Sequence, residues 1–183
     1  RGNALGEGPK ARYDQGPLYR TDGFDCETYV DTILALAFAP DFNTFPQCIN
    51  RIRYAKGKVS FITRNHFASL DWNKNNQKEG FTQDITTTLH DKNDRPVAKT
   101  ANVVINKPGW YAKLPEGRIR LPNTTPEEHT KQLHALRKSG QHLPTQTVHT
   151  PYIPLTALFQ TEGEPNQALF DQIPSGAIIE IIR

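Results

Sequence analysis

Cys26 is the residue whose type and position most directly suggest chemistry. It lies in Phe24-Asp25-Cys26-Glu27-Thr28-Tyr29-Val30, at the start of the most convincing helix in the sequence. A thiol at a helix start lies among unpaired backbone N–H groups, which favour thiolate, the nucleophilic form. The same cysteine falls on an apolar stripe with Val30, Ile33, Leu34 and Ala37, and buried cysteine is common in cores. Position alone leaves nucleophile and core residue equally open.

A thiol nucleophile needs a general base within hydrogen-bond reach, usually histidine, and a group that orients it. The sequence offers six histidines. His129 and His134 fall on a polar helix face, and His90 and His142 on polar loops. His149 falls on a strand near Tyr152. His66 stands apart, because Arg64, Asn65, His66, Asp71 and Trp72 crowd a guanidinium, an amide, an imidazole, a carboxylate and an indole together. Such a density of hydrogen-bonding groups beside an aromatic ring fits a polar, sugar- or peptide-like ligand. The bland alternative is a folded-in knot in which Arg64 pairs with Asp71.

These residues need elements to position them. The spacing predicts a helix from Asp25 to Ala39, with Asp25 as N-cap, Glu27 in the first turn and Pro40 as the stop. A second helix is expected from Thr44 to about Ala55, carrying Cys48 on the stripe Phe45, Cys48, Ile49 and Ile52, which reads as core. Val59–Thr63 reads as a short strand, and Ser69 as the cap of a short helix ending at Gly80. Residues 81–96 read as loop, Ala101–Asn106 as a strand, and Lys107-Pro108-Gly109 as a turn before the pair Trp110-Tyr111. Thr125, Pro126, Glu127, Glu128, Lys138 and Gly140 mark a third helix, thin in apolar residues and expected on the surface. Gln146–His149, a helix near Thr156–Phe159, a half-turn at Asn166–Phe170 and a final strand from Ala177 to Arg183 complete the pattern. Residues 1–23 read as an extended lead-in. Helices first and strands later suggest α+β with a mainly antiparallel sheet.

Composition sets outer bounds. The chain has 183 residues, a 36% hydrophobic share and a formal net charge of +3. Its Lys and Arg are dispersed among acids, so no nucleic-acid partner is expected. No apolar run is long enough for a membrane span, and no signal peptide is visible. Two cysteines without a CxxC or a Cys/His cluster argue against a metal site, and no cofactor is expected. A Cys26–Cys48 disulfide would remove the nucleophile. The absence of Met and an apolar, β-branched end suggest a piece of a longer chain.

Phe24–Val30 with Leu34-Ala35-Leu36-Ala37 resembles the nucleophile helix of the NlpC-like branch of papain-fold cell-wall amidases. Further segments resemble the AmiA-like N-acetylmuramoyl-L-alanine amidases, formerly a domain of unknown function. These are Arg51-Ile52-Arg53-Tyr54 with Gly57, Arg64-Asn65-His66-Phe67 with Asp71-Trp72, Pro151-Tyr152-Ile153-Pro154, and Ile173-Pro174-Ser175-Gly176. The resemblance implies a papain-like, NlpC-like cysteine peptidase fold, with N-terminal helices carrying the nucleophile ahead of a mainly antiparallel sheet. It implies one catalytic domain over residues 1–183, truncated at its C-terminus. That domain would have a helical nucleophile half (1–97) and a strand-rich half (98–183) with an inserted helix near 126–139.

The implied activity is cleavage of the bond between N-acetylmuramic acid and L-alanine in peptidoglycan fragments (muropeptides), in the bacterial periplasm or cell envelope. Cys26 would be the nucleophile and His66 the base available within these residues. Arg64, Asn65, Asp71, Trp72 and Tyr152 would bind substrate, with no metal. The family's usual histidine follows the Ile-rich segment, so the implied base lies on a C-terminal part, as a possible separate chain. Two other readings stand beside this one. One is a non-catalytic muropeptide- or glycan-binding module of the same fold, and the other a transglutaminase-like thiol enzyme.

Overall fold

The computed structural model describes residues 5–159 and 163–182. The chain divides into two compact units, residues 1–82 with 105–146, and residues 83–104 with 147–183.

In the first unit, α1 (Cys26–Phe38) begins where expected, capped by Asp25, and ends at Ala39. Its orientation is the reverse of the expectation. Thr28, Asp31, Thr32 and Ala35 face inward, while Tyr29, Ile33 and Leu36 are 55%, 47% and 50% exposed. The polar side chains tolerate burial because they are bonded. Thr28 belongs to the capping box, Thr32 Oγ1 donates to Thr28 O at 2.6 Å, and Asp31 accepts from Trp72. Of the predicted inward stripe, Leu34 touches the core, whereas Cys26, Ile33 and Ala37 are exposed.

The second helix, α2 (Phe45–Arg53), buries Phe45, Ile49, Ile52 and Arg53. Gly57 then takes φ +66°, a left-handed turn that favours glycine. Val59–Thr63 is not a strand. Ser60 caps a 3-10 turn over Phe61–Thr63, and its side chain accepts from Thr63 N. Ser69 is not at a helix start, because it lies inside a π-helical turn, Ala68–Trp72, that runs into α3 (Asn73–Lys78). Lys107-Pro108-Gly109 opens a helix, α4 (Lys107–Ala112), because Asn106 Oδ1 accepts from Gly109 N and Pro108 is tolerated in a first turn.

The third predicted helix, α5 (Pro126–Gly140), is not merely superficial. Leu133 and Leu136 are buried, and Gly140 abuts Tyr111. Two apolar clusters result, one around Phe61, Tyr111, Leu114, Leu133 and Leu136, the other around Leu5, Ala35, Phe45, Ile49, Ile52 and Phe81. The lead-in closes on itself through Gly6 N to Pro17 O (2.7 Å) and Glu7 N to Asp14 O (2.8 Å).

In the second unit, Leu89, Val148 and Leu169 are buried, and Gln172 pairs with His90 through the N–H and the carbonyl of its backbone. It holds the short helices α6 (Leu155–Leu158) and α7 (Gln167–Phe170). Strands β1 (Lys99–Asn106) and β2 (Thr145–Tyr152) pair with each other in a two-stranded antiparallel sheet, with side-chain hydrogen bonds between Asn102 and His149 and between Asn106 and Thr145. The chain is α+β with a smaller sheet than expected. The Ile-rich end forms no strand among the described residues. There Ile179 and Ile181 are 68% and 82% exposed. Arg183 lies outside the described residues.

Candidate active site

Local sequence fixes Cys26 as the first residue of α1. The Asp25 carboxylate accepts from Thr28 N at 2.8 Å, Thr28 Oγ1 accepts from Asp25 N at 2.9 Å, and Tyr29 N donates to Asp25 O at 2.9 Å. The first turn is thereby closed, leaving the N–H groups of Cys26 and Glu27 as its open donors. Cys26 is exposed and its thiol is free, as is that of the half-buried Cys48. Glu27 is exposed yet crowded. Burial pushes its carboxyl above the usual range and Asp25 adds to the rise, against the pull of Arg53, Arg64 and Arg118.

Behind Cys26, on the inward face of α1, Asp31 is 1% exposed. Its Oδ1 accepts from Trp72 Nε1 at 2.8 Å, and Oδ2 faces Arg53 Nε at 3.5 Å without a hydrogen bond. Burial, chiefly, raises this carboxyl to about 7 despite the Arg53 charge and the indole hydrogen bond.

The segment following α2 is held down residue by residue. Asn65 N donates to Arg53 O at 2.9 Å and Asn65 Nδ2 to Ile52 O at 2.8 Å. His66 Nε2 donates to Phe61 O at 2.7 Å, within a cage of Phe61, Trp110 and Tyr111 with ring centroids 4.7, 4.9 and 6.1 Å away. Burial first, and then the Arg64 charge, lower the imidazole to about 3. His66 is therefore neutral at neutral pH.

Arg64 does not pair with Asp71. Its Nη2 binds Glu7 Oε1 at 2.5 Å and Asp14 Oδ2 at 2.9 Å, and Arg120 Nε closes the network on Asp14 Oδ1 at 2.6 Å. Burial raises Asp14, but hydrogen bonds and charge from Arg120 and Arg64 outweigh it and hold the carboxyl low. Burial raises Glu7 further than Arg64 can lower it. Asp71 binds Lys107 Nζ at 2.6 Å. Arg64, Asn65, Asp71 and Trp72 thus each commit a polar atom to a protein partner, while Arg64 Nε and Asp71 Oδ2 are buried without a hydrogen bond. Tyr152 ends β2 in the second unit, half-buried.

Sequence reasoning missed Trp110, Arg118, Glu27 and Asp31. Trp110 is partly buried against His66 and Phe67, with Arg118 5.6 Å from its ring centre. The Arg118 charge opposes the rise of Glu27 and adds to the lowering of His66. The one available signal was the Trp110-Tyr111 pair, read as following a turn. Among the described residues no group of His, Cys, Asp and Glu could hold a metal ion. A cavity of about 420 Å³ in this unit is lined by Gln15, Gly16, Arg120, Leu121, Pro122 and His129, none of them among the predicted site residues.

An exposed, reduced thiol at the head of a capped helix, beside two open backbone donors, can attack a carbonyl and hold the resulting oxyanion. The chain belongs to the N-acetylmuramoyl-L-alanine amidase-like (AmiA-like) family, whose model matches residues 1–183. Among solved structures it is similar to a Legionella pneumophila protein of the DUF1460 family, at 50% identity and TM-score 0.89, over 93% of this chain and 56% of that one. It is also similar to an N-acetylmuramoyl-L-alanine amidase from Bacteroides uniformis, at 25% identity and TM-score 0.53, over 85% of this chain and 60% of that one. The chain thus spans somewhat more than half the length of each. No curated protein matches it.

Proposed function

We propose that this chain is the nucleophile-bearing part of a papain-like, NlpC-like amidase that cleaves the N-acetylmuramoyl–L-alanine bond of muropeptides in the bacterial envelope. The observation that carries the reading is Cys26 as an exposed, free thiol on the first residue of a capped helix. Family membership and the Bacteroides relative named as an amidase supply the bond to be cut.

In this reading the Cys26 thiolate attacks the lactyl carbonyl carbon. The N–H groups of Cys26 and Glu27 receive the oxyanion. The tetrahedral intermediate collapses as the L-alanine nitrogen takes a proton and leaves, and water then hydrolyses the thioester to a lactyl carboxylate. His66 enters as a neutral wall of the site. Its Nε2 proton is committed to Phe61 O, and an imidazole lowered to about 3 matches poorly to an ordinary thiol near 8.5. The base is then an imidazole other than His66, which the resemblance puts beyond the Ile-rich segment, whether on the same chain or a separate one. Residues 1–183 form part of one catalytic domain in this proposal.

Replacing Cys26 by Ala in the full-length polypeptide abolishes release of L-alanine-headed peptide from muropeptides, read by mass spectrometry. Retained release sinks the assignment. The second reading is a non-catalytic muropeptide-binding module of the same fold. It predicts saturable binding without turnover by the full-length polypeptide.

A further inference from the structure

We infer that Asp31, gripped from behind by Trp72 and Arg53, is the positioning residue that sets Cys26 in the site. The inference rests on Cys26 being the nucleophile. A helix is fixed about its own axis by what its inward face holds. The inward face of α1 consists of Thr28, Asp31, Thr32 and Ala35. Thr28 and Thr32 bond within their own helix and cap, so they do not oppose rotation. Asp31 is the inward side chain held by other elements, through a hydrogen bond from Trp72 Nε1 at 2.8 Å and an ion pair with Arg53 Nε at 3.5 Å.

Apolar contacts through Ala35 and Leu34 resist translation but carry little directional information. A side-chain atom about 5 Å from a helix axis moves roughly 2 Å for a 20° rotation. A misplacement of about 1 Å at a reacting atom costs up to about a hundredfold in rate. One directional tether on this face is therefore enough to govern the attack geometry.

The tether is also titratable. Its ionisation near pH 7 reflects burial first, with Glu27 and Asp25 from the same helix start raising it. Arg53 from α2 and the indole of Trp72 oppose them. Trp72 and Arg53 act in this account through Asp31 on Cys26, not on substrate.

The test uses the full-length polypeptide with Cys48→Ser, so that Cys26 is the one reactive thiol among the described residues. It compares Asp31→Asn and Trp72→Phe, the second keeping a smaller aromatic ring and losing the N–H. The rate of Cys26 alkylation by iodoacetamide is read from pH 5.5 to 9, along with kcat and KM on muropeptide. In the parent, the alkylation profile carries an inflection near pH 7, and Asp31→Asn loses it. Both variants drop kcat about tenfold or more with KM within about twofold. Folded variants whose alkylation profile, kcat and KM match the parent overturn the inference, even if they melt earlier. Should Asp31→Asn fail to fold, Trp72→Phe decides by the same readings, and failure of both to fold assigns the cluster to stability alone and overturns it. Retained activity in Cys26→Ala refutes the nucleophile instead, and leaves the alkylation comparison readable.

Discussion

His66 and Asp31 should pull stability in opposite directions across the same pH range. In the folded state His66 titrates at about 3 against 6.5 for an ordinary histidine. Between those values the unfolded chain binds more protons, so stability is lost as pH falls from 6.5. From pH 7.5 to 5 the loss is about 2 kcal/mol, which solvent at the open edge of the ring trims rather than reverses. Asp31 titrates at about 7 when folded against 3.8 otherwise. Here the folded state binds the extra proton, so stability rises as pH falls through 7, by about 2 to 3 kcal/mol over the same interval.

The two terms nearly cancel in the parent, and single variants separate them. In His66→Phe the aromatic cage accepts the ring, and Phe61 O keeps its 3.2 Å bond from Tyr111. This variant should gain about 2 kcal/mol on going from pH 7.5 to 5, while Asp31→Asn should lose about as much. Glu7 and Asp14 are common to all three proteins, and Glu27, which loses a neighbouring acid in Asp31→Asn, takes up its proton less readily there and so acts in the same direction as the expected loss. The assay is urea unfolding followed by tryptophan fluorescence. Both tryptophans, Trp72 and Trp110, lie in the first unit, so the signal reports that unit. Parallel pH slopes in the parent and both variants would refute the opposing-proton account.

Arg64→Leu leaves the Glu7 and Asp14 carboxylates buried with one guanidinium fewer, and should cost about 3 to 5 kcal/mol by chemical denaturation at pH 7. A cost below about 1 kcal/mol would show that the network is replaceable. Gly140→Ala puts a Cβ into the Tyr111 side chain, and should cost about 1 to 3 kcal/mol in the same assay. Under the proposed function, Trp110→Ala removes the indole beneath Arg118 and beside His66, and should raise KM for muropeptide at least about fivefold. An unchanged KM takes Trp110 out of the binding surface.

How much was legible in the sequence follows from how local each signal is. Capping is local, so Asp25 and Glu27 announced α1, and Thr125 and Pro126 announced α5, each within a residue or two of its observed start. The position of Cys26 at a helix head came with that signal. The side of α1 that faces inward did not. Periodicity marks an apolar stripe without saying what else competes for the core. Here Thr28, Asp31 and Thr32 go inside because their polar atoms find partners, one of them the side chain of Trp72. The same limit turned Lys107-Pro108-Gly109 from an expected turn into α4, where the Asn106 side chain decides the outcome.

The sequence by itself determined the thiol, its helix head and the family, because these are written in short contiguous stretches. Tertiary structure alone decided the partners of the cluster Arg64–Trp72. Arg64 reaches back to Glu7 and Asp14, Trp72 to Asp31, and Asp71 forward to Lys107. Those pairings join residues far apart in the chain, where charge and burial choose among many acids and bases that spacing cannot rank.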